Sequence, residues 1–152
     1  WLAKYAARKG YHKPTGTIAL NYCNNLRIFR YAETLLAYAE LVGVEGVAEQ
    51  KGISAQQCLD MVRDRAFGDT NHRVAVNKQN IINENHYEFV GEGHRYYDVV
   101  RWGITEVLNV GNVPGINSAR TWKSHNKYVA IPQGDIDATK GTEFELKQNE
   151  GY

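Results

Sequence analysis

Apolar residues recur at three- and four-residue spacing from Leu26 onward. Ile28, Tyr31, Ala32, Leu35, Leu36 and Ala39 share one stripe of an α-helix. Asn24 or Asn25 stands where a cap is needed at its start, and Gly43 at its end. Residues 1–25 mix a short apolar start with Gly10, Pro14, Gly16 and an Asn pair, and read as an incoming segment and loop. The stretch from Gly43 to Gly52 suits part of a helix or a turn alone. Ser54 followed by Gln57 has the form of a capping box. Ala55, Cys58, Leu59, Val62 and Ala66 then make a second apolar stripe, closed by Gly68. The short connection between these two helices makes them antiparallel neighbours.

A third helix is predicted from about Lys78 to Val90, with Ile81, Ile82, Tyr87 and Phe89 as its apolar residues, broken by Gly91 and Gly93. A fourth follows from His94 to about Asn109 on the stripe Tyr97, Val100, Ile104, Val107 and Leu108, so the pair forms a second helical hairpin. After Val110 the segment GNVPGINSARTWKSHN is a loop or a long hairpin. Lys127 to Ile131, KYVAI, reads as a strand that Pro132 stops. The polar, turn-rich tail from Gln133 to Tyr152 is ordered only if it lies against the helical body. The expected class is mainly α. Residues 1–25 form the incoming loop, 26–109 stacked helical hairpins, and 110–152 long loops, a small β-hairpin and the tail.

Composition narrows the function. At 152 residues and 43% hydrophobic, the chain has enough material for one ordinary core. Eighteen Lys and Arg against seventeen Asp and Glu leave a formal charge of +1, so no sustained field draws in a nucleic acid or an anionic membrane. No run of roughly eighteen apolar residues is present to span a bilayer as a helix. Cys23 and Cys58 are too few for a disulfide framework and lack zinc-site spacing, so both read as inert thiols. The chain starts at Trp1 without an initiator Met, a charged n-region or an apolar h-region, which leads us to expect a longer native N-terminus.

The densest chemistry lies in NENHYEFVGEGHRYYDVVRW. Glu88, Glu92 and His94 invite a metal-dependent hydrolase, but no HExxH or comparable two-ligand spacing occurs and two glycines redirect the chain. A structural role explains more. Arg95, Asp98 and Arg101 are three residues apart on one helix, suited to an ion-pair ladder, with Glu88 or Glu92 receiving a guanidinium across the turn. No GxSxG, Walker or dinucleotide motif is present, and neither metal nor cofactor is expected. Ten Tyr and three Trp supply flat apolar faces with polar tips. Trp1, Tyr11, Trp122 and Tyr128 are the aromatic surface candidates.

Four ordered blocks resemble the C-terminal signatures of the SusD-like (RagB-like) family: RIFRYAETLLAYAELV from Arg27, INENHYEFVGEGHRYYDVVRWG from Ile82, VAIPQGDID from Val129 and LKQNEGY from Leu146. The resemblance implies a tetratricopeptide-like helical protein without catalytic activity, tethered by an N-terminal lipid to the outer surface of Bacteroidetes-type bacteria. Such a protein captures oligosaccharide, or peptide in RagB-like members, and delivers it to a SusC-like TonB-dependent transporter. It further implies that this chain packs against a missing N-terminal half. Arg27, Tyr31, Glu33, Glu40, Glu88, Glu92, Gly93, Arg95, Asp98, Arg101 and Trp102 fall on motif positions with a scaffold character. His86 and Tyr87 stand where the family often has two basic residues, which removes positive charge beside Glu84. The ligand-contact candidates are Trp122, in a turn-rich segment between Arg120 and Lys123, with Tyr128 and Tyr11. A tetratricopeptide-type scaffold that binds protein or peptide, with no sugar site, is the competing reading.

Overall fold

A computed structural model of the chain describes residues 3–6 and 27–152. Trp1, Tyr11, Cys23 and the Asn24/Asn25 cap lie outside the described residues. The chain divides into two compact units, Trp1–Arg95 and Tyr96–Tyr152. Among the described residues it is mainly helical, in agreement with the expected class, and its β-structure is confined to isolated bridges.

In the first unit, α1 (Tyr31–Gly43) begins later than its apolar stripe suggests. Arg30 takes the N-cap in an extended conformation with no capping bond from its side chain, and Ile28 is 85% exposed. The physical reason is the destination of the Arg30 guanidinium, which is held by carboxylates far along the chain. Tyr31 is likewise exposed, while Ala32, Leu35, Leu36 and Ala39 face the core as expected.

The segment between the helices is a turn. Lys51 and Gly52 both have positive φ, and the Tyr38 hydroxyl pins the turn, donating to the Ile53 carbonyl at 2.8 Å and accepting from the Gln50 N–H at 2.8 Å. Helix α2 (Ala55–Phe67) starts with the full capping box expected at Ser54 and Gln57, and Gly68 closes it at φ 77° with its N–H on the Asp64 carbonyl. Ser54→Ala is expected to remove about 1 kcal/mol of unfolding free energy, read by urea denaturation. No change in midpoint would show that the cap is redundant.

Ala55, Cys58, Leu59 and Val62 are buried, so Cys58 lies on the core-facing stripe as expected; Ala66, past the end of the core, is exposed. Helix α1 packs against α2 and against α3 (Lys78–Glu88), with Ile81 and Phe89 completing the cluster. Removing Leu36, Leu59 and Ile81 from water stabilises the fold by roughly 1.5–3 kcal/mol each.

Helix α3 is capped by Asn77, which accepts from the Asn80 N–H. It ends at Glu88, and its buried face differs from the one expected. Tyr87 is 66% exposed, whereas Glu84 and Glu88 share the buried face with Ile81, because positions 81, 84 and 88 lie at helical spacing.

Helix α4 (Arg95–Trp102) is also shorter than expected. Gly103 adopts φ 71°, its N–H bonds the Val100 carbonyl, and the Ile104 N–H reaches back to Val99, a pattern that terminates a helix through a left-handed glycine. Residues Thr105–Leu108 continue only as a 3-10 turn. The buried position is Val99, and Tyr97 is 75% exposed, so the expected stripe was out of register. Helix α3 lies in the first unit, and α4 beyond Arg95 in the second.

In the second unit, residues 110–120 form a short hairpin. Val110 and Arg120 exchange backbone bonds at 2.8 Å, and Val113 pairs with Asn117. The predicted KYVAI strand is not one. After a 3-10 turn at Ser124–Lys127, the backbone of 128–131 is bonded by side chains of the tail rather than by a neighbouring strand. Gln148 accepts from the Ile131 N–H and donates to its carbonyl, both at 2.9 Å; Asn149 donates to Val129 and the Tyr152 hydroxyl to Tyr128. An amide side chain carries both a donor and an acceptor and so imitates a strand partner. Pro132 does end the segment, as the N-cap of α5 (Gln133–Thr139), a helix the polar tail had not suggested.

Candidate functional site

Two groups of functional side chains emerge, one in each unit. In the first unit Arg30 sits between the end of α3 and the glycine turn. Its Nε and Nη2 each meet a Glu92 oxygen at 2.8 Å, a two-pronged pair, and its Nη1 meets Glu88 Oε1 at 2.6 Å. Lys4 also binds Glu92, and Arg65 binds the other Glu88 oxygen at 2.7 Å. Glu92 reaches this position because it stands between Gly91 and Gly93, both at positive φ. Its side chain is 2% exposed and that of Glu88 9%. Burial alone would push the Glu92 carboxyl up, but hydrogen bonds from Arg30 and Lys4 outweigh it and hold the group below its ordinary value. Burial opposes the Arg30 charge too, yet the two carboxylates raise its pKa.

This cluster is structural in its chemistry. The carboxylates proposed for a metal are saturated by guanidinium and ammonium groups, and His94 is stacked on Phe89 with Nδ1 3.8 Å from Glu33. The expected cation donor is corrected: within the first unit Glu88 and Glu92 share Arg30, which precedes α1 and lies outside the turn across which a guanidinium was expected. Asp98 pairs with Arg101 at 3.2 Å, but among the described residues no bond joins Arg95 to Asp98. Glu84 has no Lys or Arg within one turn of it on its own helix, and Arg63 of α2 pairs with it instead. Of the other motif residues, Glu40 is buried, Arg27 lies over the Tyr5 ring at 5.7 Å, and Arg101 lies over Trp102 at 4.7 Å.

In the second unit an open depression of about 830 Å³ brings together Trp122 and Tyr128, two of the three residues singled out for ligand contact. Tyr96 and Tyr152 join them; the Tyr96 and Trp122 ring centroids are 5.8 Å apart at a tilt of 57°. Asn109 holds the Trp122 backbone through its side-chain oxygen at 2.7 Å, the Tyr96 hydroxyl donates to the Asn126 carbonyl, and Tyr152 is tied to Tyr128. Three bonds thus hold the Tyr96 and Tyr152 hydroxyls and the Trp122 backbone in place. Arg30, Arg63, Tyr96 and Tyr152 escaped the sequence reading. Arg30 was findable, since it lies in the RIFRYAE block and two buried glutamates demand a cation; the tyrosines carried no local signal.

Comparison with known proteins agrees with the signature blocks. A family model described as the SusD family matches residues 2–152. Surface glycan-binding protein A from Bacteroides fluxus is similar at 54% identity and a TM-score of 0.84, over 97% of this chain and 31% of that one. Surface glycan-binding protein A from Bacteroides thetaiotaomicron in complex with laminarihexaose is 41% identical, TM-score 0.72, over 89% and 27% respectively. The SusD-like protein P25 of Formosa agariphila is 33% identical over 91 residues, 55% of this chain and 16% of its own length. The chain thus spans less than a third of the length of these relatives. On the residues matched and the order of the blocks, the chain belongs to the SusD family.

Proposed function

We propose that this chain is part of a non-catalytic cell-surface protein that captures glycan and delivers it to a SusC-like TonB-dependent transporter, held at the outer membrane by an N-terminal lipid. The observation that carries the reading is the similarity in sequence and backbone to surface glycan-binding proteins, at 54% and 41% identity. The arrangement of the second unit supports it: four aromatic rings line an open depression, and such rings offer sugar the flat apolar face it stacks on. Trp122 and Tyr128 are the contacts we assign within this chain. Laminarihexaose, bound in one relative and related to the ligand of a laminarin-binding SusD-like protein 32% identical to this chain, is the first ligand to test.

Titration of the full-length protein and of this chain with laminarihexaose and a glycan array is the test. Glycan binding by the full-length protein is expected, and Trp122→Ala is expected to weaken it by up to about tenfold, the worth of one aromatic stack. Unchanged affinity in that variant would remove the depression as a contact. Failure of every glycan would remove the capture reading itself.

A further inference from the structure

The depression in the second unit is unbalanced in its hydrogen-bonding groups. Its lining contains Arg120, Trp122, Asn126 and Tyr128 and no Asp or Glu. The Arg120 side chain donates no hydrogen bond and makes no ion pair among the described residues, although its backbone is fixed opposite Val110. The Trp122 indole N–H and the Asn126 amide nitrogen are likewise without partners there, since their bonds run through the Trp122 backbone and the Asn126 oxygen. Three backbone acceptors of the lining, by contrast, are already used. The Asn126 carbonyl takes Tyr96, the Tyr128 carbonyl takes Tyr152, and the Val129 carbonyl takes Asn149. Lys127, with its ammonium 4.8 Å from the Tyr128 ring centre, adds a second cation at this edge. The chain's total of +1 hides this local excess of positive charge.

A neutral sugar hydroxyl both donates and accepts, and a site that reads neutral sugar offers acceptors as well as donors. Aromatic faces bordered by a guanidinium with no partner among the described residues, with three of the neighbouring carbonyls already bonded and no carboxylate in the lining, suit a ring that carries an acceptor-only group. We infer that this depression takes an anionic sugar, a hexose unit bearing a carboxylate or a sulfate, with its ring against Trp122 and its anion on the Arg120 fork. The inference rests on the glycan-capture reading and specifies the class of sugar.

The test is calorimetric titration of the full-length protein and its Arg120→Gln variant with three hexasaccharides: laminarihexaose, sulfated laminarihexaose and hexagalacturonate. At least one anionic ligand is expected to bind ten or more times tighter than laminarihexaose at low salt. Arg120→Gln should cancel that preference by weakening the anionic ligand about ten times more than it weakens laminarihexaose. Raising the salt tenfold should shrink the preference, because an exposed ion pair is screened. Which of the two anionic ligands gains distinguishes sulfate from carboxylate. If laminarihexaose binds as well as the charged ligands, glycan capture stands and the anionic inference falls. An anionic preference that survives Arg120→Gln would move the site elsewhere and also overturn the inference, and binding of none of the three would count against glycan capture itself.

Discussion

Arg30→Met is expected to lower the unfolding free energy by about 3 kcal/mol, because it leaves two buried carboxylates short of their main cation. The loss lies at the lower end of the range for a broken buried pair, since Lys4 still serves Glu92 and Arg65 still serves Glu88. For a chain of this size that is a fall in Tm of roughly 6–12 °C. A loss below about 1 kcal/mol by urea denaturation would mean that water, not Arg30, satisfies these groups. Adding Glu88→Gln and Glu92→Gln to the variant should recover part of the loss, as the charge that needed a partner is gone. The same cluster sets the acid response. The Glu92 carboxyl is held below its ordinary 4.5. Its contribution is therefore complete above that value and disappears as the pH falls through the depressed native one. Stability should decline on acidification below about pH 4.5, and this acid limb should be shallower in Arg30→Met.

Leu59→Ala is expected to cost about 3 kcal/mol, within the usual span for a buried leucine. Leu59 is fully buried in the cluster that joins α1, α2 and α3, and removing its isobutyl group leaves a cavity that packed helices close only in part. Met61, two residues on and 46% exposed, supplies the control: Met61→Ala should change stability by less than about 0.5 kcal/mol. Equal losses at the two positions would mean that the first unit is not organised around this core.

Where a local pattern has a local cause, the sequence was sufficient. The Ser54/Gln57 box, the Gly68 stop and the buried stripes of α1 and α2 are each decided within a few residues, by capping bonds or by the side on which apolar groups recur. The four signature blocks likewise assigned the family. What the sequence left open depended on partners distant along the chain. The first turn expected of α1 is absent because Arg30 is drawn to Glu88 and Glu92, some sixty residues away. KYVAI has the composition of a strand, but its backbone found Gln148, Asn149 and Tyr152 in place of a second strand. The depression that unites Trp122 and Tyr128 with Tyr96 and Tyr152 draws on residues up to 56 positions apart, counted from Tyr96 to Tyr152. Helical periodicity and capping are short-range and repeat every few residues, so they can be read along the chain. Ion pairs, side-chain clasps and the walls of a cleft join positions with no fixed separation, and only the folded backbone decides which of them meet.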